Sequence, residues 1–379
     1  MRLLLGPSLA IGLASAVLAQ VPGLTLPPSG DNQKASVTQF IGPVQITVDY
    51  SSPNVHGTNG KDRRGQIWGK LVPYGMADLG VNGGKPSPWR AGANENTVFT
   101  ISNEIKIQGQ TLPAGRYGLH MIPGENEWTV IFSKNADVWG SFYYDEKEDS
   151  LRVKTSAKKH EYREWLTYEF TERRPDSAIL ELQWEDLSVP MSIKVDNIND
   201  IYVAKIRNDL KNAVGFDYRG WDSAAQFCVQ ANTHLDEALA WADKAISGPG
   251  GLGVTNFSTL STKALVLSKL GREGEAKPLM EQAIRLPGTT PLEIHQYGRQ
   301  LLTAKKTSEA MEVFKYNAER NGETWPTNVG LARGYSASGD LPKALDYAKK
   351  ALAQAPDTLN RNNLQDMVKT LADGKPIAN

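Results

Sequence analysis

The residues of this sequence that could carry chemistry are few, and most of them lie in its first half. The chain has five histidines, of which His56 and His120 fall in a region rich in tryptophan and tyrosine. The segment from Arg90 to Asn96 is the densest polar cluster of the same region. A histidine, a carboxylate and a guanidinium in one groove would suit anion binding or general acid–base catalysis. The candidate ligand-binding residues are therefore Arg90, Asn94, Glu95, His120 and His56.

The same residues also have a structural interpretation, which stays open at this point. Alternation along a strand places His120 on the face opposite Leu119 and Met121, where it could be hydrogen-bonded to the loop. Arg90 and Glu95 could pair with each other and hold their own loop together. Two histidines and one carboxylate could bind a metal. Nothing in the spacing requires a metal, so no metal ligand and no cofactor is predicted.

The rest of the composition narrows the class of protein. The sequence has no Gly-Xaa-Ser-Xaa-Gly elbow, no phosphate-binding loop and no His-Glu-Xaa-Xaa-His. The single cysteine, Cys228, excludes an intramolecular disulfide and a multi-cysteine metal site. Forty-two basic residues balance 42 acidic ones, a poor basis for nucleic-acid binding, which depends on neutralising phosphates. No catalytic residue is predicted, and enzymatic activity stays undecided, with a binding role preferred.

The elements that must position the candidate residues are predicted to be strands. Residues 35–196 show period-two patterning, clearest at residues 44–50, and frequent turn signals. Gln108-Gly109 between two apolar runs predicts a tight hairpin, because glycine accepts a positive φ without strain. Nine or ten short strands without an intervening helix favour an antiparallel, jelly-roll-like β-sandwich. The long stretch from Ser51 to Asn96 is expected to cover a sheet edge and to be functional.

The second half has a helical repeat. Small residues recur there at spacings of 38, 34 and 34, and a 34-residue period is typical of tetratricopeptide repeats. We therefore predict an α-solenoid over residues 221–373, with a terminal capping helix at 358–373. Residues 197–220 are predicted to bridge the two domains. The recurring positions are Ala238, Ala276, Ala310 and Ala344.

The first residues of the chain are typical of an export signal. Arg2 is followed by an apolar run, and small residues before position 20 predict cleavage after Ala19. An uncleaved anchor helix is the alternative. Residues 20–34, rich in proline and glycine, are predicted to form a tether. The mature protein is then expected to be periplasmic or secreted and to have no membrane span.

Several blocks of the first half resemble a known family. They cover residues 35–196 in the family's order, and the family consists of bacterial exported proteins catalogued as domain of unknown function 2911. The resemblance implies a secreted β domain, sometimes followed by helical repeats, and it implies no activity and no catalytic residues. The matching blocks include GQIWG at 65–69, WRAGANE at 89–95, LPAGRYGL at 112–119 and WTVIFSK at 128–134.

These observations together favour an exported, non-enzymatic binding or scaffold protein. The helical repeats are expected to bind a protein partner, and the β-sandwich to bind a ligand or another surface. The alternative is an enzyme or a small-ligand receptor, for instance for a carbohydrate, that uses the groove under residues 51–96. That alternative requires Arg90, Glu95 and His120 to converge within hydrogen-bonding distance of one another.

Overall fold

The structure is a computed structural model that describes residues 32–57, 60–78, 80, 82–248 and 252–377. The chain forms two compact units, and the boundary falls between Asp196 and Asn197. The predicted signal peptide and the tether up to residue 31 lie outside the described residues. Within the described ranges, no helix combines the length and the apolar character that a membrane span needs.

Two antiparallel sheets make up the first unit, which confirms the predicted fold class of this half. One sheet has the strand order β1-β2-β3-β6-β7-β8 and the other has the order β5-β4-β10-β9. The strands are β1 (Gln33–Ile41), β2 (Val44–Ser52), β3 (Thr97–Ile101), β4 (Ile105–Ile107), β5 (Gln110–Leu112), β6 (Gly115–Ile122), β7 (Trp128–Ser133), β8 (Asp149–Thr155), β9 (Lys158–Arg174) and β10 (Ser177–Lys194).

Two parts of this unit differ from the sequence prediction. Gln33 and Lys34 of the predicted tether already pair with β2. The pattern at 178–184 and at 189–195 predicts two of the short strands, but both segments belong to one long strand, β10, which bends at a bulge where Glu185 has a φ of 54°. Pro190 in β10 lies beyond the residues that pair with β9, so its missing N–H interrupts no ladder. The sequence around Glu185 and Pro190 predicts a break between two strands, whereas in the sheet the strand continues and bends.

The long segment between β2 and β3 contributes to the core. It carries Trp68 and Trp89, which pack against Trp128 of β7 and Trp184 of β10. The ring centroids of Trp68 lie 5.2 Å from Trp128 and 5.6 Å from Trp184, both edge-on. Aromatic pairs at such distances stabilise a core beyond the area that they bury. The segment therefore supplies two of the four indole rings that fill the space between the sheets.

Paired helices make up the second unit, as the 34-residue period predicts. The anchor alanines at 238, 276, 310 and 344 are all buried, because each allows the two helices of a pair to approach closely. The helices are α1 (Ile198–Asp209), α2 (Tyr218–Ala231), α3 (Leu235–Ser247), α4 (Phe257–Lys269), α5 (Glu273–Arg285), α6 (Pro291–Thr303), α7 (Thr307–Asn321), α8 (Trp325–Ala337), α9 (Leu341–Ala353) and α10 (Thr358–Ala372).

Residues 197–220, which the sequence assigns to a bridge, belong to this helical unit. Val203 of α1 packs into one apolar cluster with Ala225 and Cys228 of α2. Burial raises the pKa of the Cys228 thiol to about 11, which leaves it protonated and unreactive at neutral pH. The helix α1 therefore covers the N-terminal end of the first helix pair, which is α2 and α3.

The third helix pair (α6 and α7) and the fourth (α8 and α9) meet around one phenylalanine. Phe314 of α7 is fully buried, and three glycines surround its ring. A Cβ atom would lie 2.3 Å from the ring at Gly298, 2.6 Å at Gly330 and 3.0 Å at Gly334. These distances are at or below the closest approach of carbon atoms, so only glycine fits beside the ring. The glycines thus let α6 and α8 close on Phe314.

Candidate functional site

The loop from Arg90 to Asn96 is held rigidly by the β unit. Ala91 and Asn94 have φ values of 51° and 55°, a left-handed conformation that costs energy for residues other than glycine. Hydrogen bonds offset that cost, because the carbonyl of Ala91 accepts from the Tyr168 hydroxyl at 2.9 Å and from Thr97 Oγ1 at 3.1 Å. Arg90 Nη1 donates to the carbonyl of Asn94. The loop is therefore a fixed support for its side chains.

Glu95 projects from this loop towards the edge strand β1. Its Oε1 lies 2.9 Å from Lys34 Nζ, and its Oε2 accepts a hydrogen bond from Ser51 Oγ at 3.0 Å. The hydrogen bond from Lys34 lowers the pKa of the Glu95 carboxyl, with a smaller contribution from Ser51. Asn94 Oδ1 accepts from Asn32 Nδ2 at 2.9 Å. Glu95 also lines an open pocket of about 340 Å³, which includes Lys34 and Asn96.

Arg90 points to a different part of the unit. Its guanidinium lies 5.6 Å from the ring centroid of Phe142, a cation–π distance. Gly140 makes room for this contact, because a Cβ atom there would lie 2.6 Å from the guanidinium carbon. Burial lowers the pKa of Arg90. The expected clamp between Arg90 and Glu95 is thus replaced by two separate contacts.

His120 of β6 lies inside the unit and is only 1% exposed. Its Nδ1 lies 3.1 Å from Ser141 Oγ, and its ring meets Tyr144 edge-on at 5.6 Å. Burial, assisted by the positive charge of Arg90, lowers the pKa of His120 to about 4. His120 is therefore neutral at physiological pH and holds the segment that follows β7, which agrees with the structural interpretation of this residue.

The sequence reasoning missed the polar residues of that segment. The Tyr144 hydroxyl donates to Asp149 Oδ2 at 2.7 Å, and Asn82 Nδ2 donates to the Tyr144 carbonyl at 3.0 Å. Burial, with the hydrogen bond to Asp149, places the pKa of Tyr144 well above its usual range. The one signal that the sequence offers for this segment is the Tyr-Asp pair at 144–145.

The neighbours of His56 differ from those of the other candidate residues. Its Nδ1 lies 2.8 Å from Glu164 Oε2, and its Nε2 lies 3.6 Å from Asp62 Oδ1. Burial raises the pKa of Glu164, but hydrogen bonds from Tyr162 and His56 outweigh it and lower that pKa to about 2. Across the described ranges, no three histidine, cysteine or carboxylate side chains are grouped so as to hold a metal ion.

The five candidate residues therefore do not form one site. Arg90 and His120 are neighbours beside residues 140–144, whereas Glu95 and Asn94 contact the β1 side of the loop. His56 pairs with Glu164. The convergence of Arg90, Glu95 and His120, which an active site under residues 51–96 requires, is not observed.

The depressed pKa of His120 makes a prediction for the stability of the β unit. The folded pKa of about 4 lies below the ordinary histidine pKa of 6.5, so the unfolded chain takes up the proton first as the pH falls. Stability is then fully retained above pH 6.5 and is lost towards pH 4, by about 1.4 kcal/mol per pH unit at the steepest point. Urea unfolding between pH 4 and pH 7 measures this dependence.

The variant His120→Asn should flatten that dependence by one proton, whatever its effect on stability at pH 7. His160→Asn is the matched control, since His160 hydrogen-bonds at the protein surface to Glu161. An unchanged pH dependence in His120→Asn would show that His120 does not titrate on unfolding as described.

The helical unit has a polar groove that sequence reasoning did not find. A pocket of about 400 Å³ lies along α6 and is lined by Gln296, Arg299, Gln300 and Thr303. Burial, and then the charges of Arg333 on α8 and of Arg299, lower the pKa of His295 to about 4. The charges of both arginines thus act on His295. Their spacing of 34 residues is the sequence signal that could have located the groove.

A second pocket separates the second helix pair from the third. It has a volume of about 320 Å³, and Leu265, Met280 and Leu301 give it an apolar lining. Two ion pairs join α5 to the start of α7 at its margin, namely Lys306–Glu273 at 3.5 Å and Lys277–Glu309 at 3.2 Å. Tyr297 also lines this cleft, and burial together with Glu309 raises its pKa to about 12.

Residues 32–193 match the family described as "Protein of unknown function (DUF2911)". No curated protein matches the chain. Among solved structures, residues 41 to the end of MamA from Desulfovibrio magneticus RS-1 are 18% identical, with a TM-score of 0.28 over 41% of this chain and 89% of that one.

Two further solved structures are similar to part of the chain. YrrB, described as a TPR protein with an unusual peptide-binding site, is 18% identical over 45% of this chain and 92% of its own, with a TM-score of 0.27. A tetratricopeptide repeat protein from Parabacteroides merdae ATCC 43184 is 17% identical over 45% of this chain and 65% of its own, with a TM-score of 0.30.

Proposed function

We propose that this protein, whose residues 32–193 match a family of unknown function, binds an extended segment of a protein partner through its helical unit. The observation that carries the proposal is the position of Gln300, which lines both the polar groove and the apolar cleft. The two pockets therefore adjoin on α6. A polar surface next to an apolar pocket is the combination that peptide recognition requires.

The polar groove suits the backbone of a bound segment. Gln296 and Gln300 carry amides that both donate and accept hydrogen bonds, as peptide groups do, and Thr303 adds a hydroxyl. Arg299 lies between them and adds a positive charge, which favours a partner with an acidic residue at this point. Hydrogen bonds to the backbone give affinity, and the adjoining cleft gives side-chain specificity.

The cleft suits one apolar side chain. Its lining residues Ala276 and Met280 belong to the apolar cluster of the second pair, whereas Leu301 belongs to the cluster of the third pair. Tyr297 and Phe257 are only partly buried and touch both clusters. The cleft thus lies where the two clusters adjoin, and an inserted side chain would bury the surface of Leu265, which is now 38% exposed to water.

Export belongs to the same proposal. It is supported by the sequence of residues 1–19 and by the family resemblance, and it places the partner outside the cytoplasm. A small-ligand receptor under residues 51–96 is not proposed, because Trp68 and Trp89 already fill the space between that segment and the sheets.

Site-specific photocross-linking in cells tests this proposal. A photoreactive residue at position 300 should capture one protein that a photoreactive residue at position 319 does not capture. Glu319 is the matched control because it is exposed on α7 and lines neither pocket. The product should be found in the envelope or secreted fraction. Identical products at both positions would contradict the groove, and a cytoplasmic product would contradict export.

A charge placed in the cleft should abolish the capture. Leu265→Asp would bury a carboxylate against the partner's apolar side chain, which costs several kcal/mol, so cross-linking from position 300 should fall by roughly tenfold or more. Leu359→Asp on α10 is the matched control, since Leu359 is 70% exposed and lines neither pocket. Equal losses in the two variants would argue against the cleft.

A further inference from the structure

The junction between the second helix pair (α4 and α5) and the third differs from the junctions on either side of it. At the first junction α4 lies close to both α2 and α3, and at the last junction α8 lies close to both α6 and α7. Among the described residues, the backbone of α6 scarcely approaches that of α4 or α5. Side-chain contacts, rather than close helix packing, therefore join the second pair to the third.

One end of this junction is fixed by Arg320 of α7. Its Nη2 donates to the carbonyls of Leu286 at 2.6 Å and of Pro287 at 3.3 Å, and its Nη1 donates to the carbonyl of Ile284. Ile284 at the end of α5 packs in the apolar cluster of α6 and α7. The turn that follows α5 contains Gly288, beside which a Cβ atom would meet nothing within 4 Å. An uncrowded glycine in a short turn is a place where a backbone can bend.

The other end of the junction is open and forms the apolar cleft of about 320 Å³. Two ion pairs join α5 to α7 at this end, namely Lys306–Glu273 and Lys277–Glu309, and all four of these side chains line the cleft. The four side chains are partly exposed, so water and salt screen the attraction between them. Weak contacts thus hold the second pair to the third at the cleft, far from the turn.

The helices on either side of the junction are firmly packed. Val266 of α4 is buried in one cluster with Ala225 of α2 and Trp241 of α3, which joins the first pair to the second. Phe314 of α7 is buried against Gly330 of α8, which joins the third pair to the fourth. Any bending of the helical unit is therefore concentrated at the junction between α5 and α6.

We propose that the helical unit is hinged at the turn between α5 and α6, and that the two ion pairs are a latch that limits the width of the cleft. Release of the latch opens the cleft to the partner's side chain. This inference rests on the proposed function, which assigns the cleft to an apolar side chain of the partner, and it adds how access to that site is controlled. A partner that enters the cleft favours the open arrangement, because it binds that arrangement more tightly.

Double electron–electron resonance between spin labels on the full chain tests the hinge. Labels at Gly274→Cys and Ser308→Cys span the junction, and labels at Ser308→Cys and Pro342→Cys span the next one. These positions are matched, because each is the second residue of its helix. Position 274 lies about 16 Å along α5 from the turn, so an opening of about 10° lengthens the first distance by about 3 Å. The latch variant, Lys277→Gln with Lys306→Gln, should show such a lengthening and an unchanged second distance.

The matched control for the latch variant is Lys263→Gln. Lys263 pairs with Asp243 at 2.6 Å and joins α4 to α3, where the helices are closely packed, so its loss should change neither distance. The native Cys228 is buried and does not take up a label. An unchanged first distance in the latch variant would overturn the hinge, and so would an equal lengthening of both distances.

Photocross-linking from position 300 separates this inference from the proposed function. Capture by the latch variant should rise roughly twofold or more over the unmodified chain, because a larger fraction of the protein is open. Capture that does not rise, although the first distance lengthens, would overturn the control of the cleft by the latch. Absence of capture in both chains, with the lengthening observed, would contradict the proposed function and leave the hinge in place.

Discussion

Replacement of Phe314 by alanine should lower the free energy of unfolding of the helical unit by about 3–5 kcal/mol. The ring is completely buried and lies against Gly298, Gly330 and Gly334, which have no side chains that could move into the space. A cavity that cannot collapse carries the full cost of the lost contacts. Urea unfolding followed by far-ultraviolet circular dichroism measures the change.

The control for this prediction is Phe216→Ala in the same unit. Phe216 is 71% exposed, so its loss should change stability by less than about 0.5 kcal/mol. Gly330→Ala tests the same contact by adding a methyl group, whose Cβ atom would lie 2.6 Å from the Phe314 ring. This variant should lower the free energy of unfolding by about 1–3 kcal/mol. A Phe314→Ala variant as stable as Phe216→Ala would refute the role of the ring.

Loss of the Trp184 ring should destabilise the β unit by a similar amount, about 3–5 kcal/mol for Trp184→Ala. Trp184 is almost fully buried and contacts both Trp68 and Trp89, the two rings that attach residues 53–96 to the sheets. Its removal should therefore loosen that segment as well as the core. Near-ultraviolet circular dichroism should lose the signal of the coupled indoles, and urea unfolding should give the free energy.

Two further variants test whether the loss of stability comes from the four-ring cluster. Trp139→Ala is the matched control, because Trp139 is 49% exposed, and it should leave stability nearly unchanged. Trp184→Phe should cost less than Trp184→Ala, since the indole Nε1 of Trp184 has no hydrogen-bond partner among the described residues and its loss removes an unsatisfied donor. If Trp139→Ala proved as damaging as Trp184→Ala, the four-ring cluster would not be the main support of the loop.

Short-range pattern was sufficient to predict the helical unit. The 34-residue recurrence of small residues follows from the contact between the helices of each pair, and each contact is local in sequence. The one exception also has a local cause. A second alanine stands seven residues after the recurring one in three of the four pairs, at 245, 283 and 351, and Asn317 takes its place in the other pair. Asn317 is fully buried, and its Nδ2 donates to the Pro291 carbonyl at the start of α6.

The expected convergence of Arg90, Glu95 and His120 is not observed, because composition does not determine the direction of a side chain. Arg90 and Glu95 are five residues apart in one loop, yet the left-handed conformations of Ala91 and Asn94 turn their side chains to different neighbours. Those neighbours, Phe142 and Lys34, are distant in sequence. Clustering of polar residues along the chain therefore predicted the position of the loop and not the contacts that its side chains make.

Period and spacing thus decided the secondary structure, the two-part architecture and the helical repeat, because each depends on residues within one turn, one strand or one helix pair. Tertiary structure alone decided which side chains meet. The tryptophan cluster, the separation of Glu95 from His120, and the apolar cleft beside Gln300 all join elements far apart in the chain. Such contacts are selected by packing and burial over the whole unit, and no local pattern encodes them.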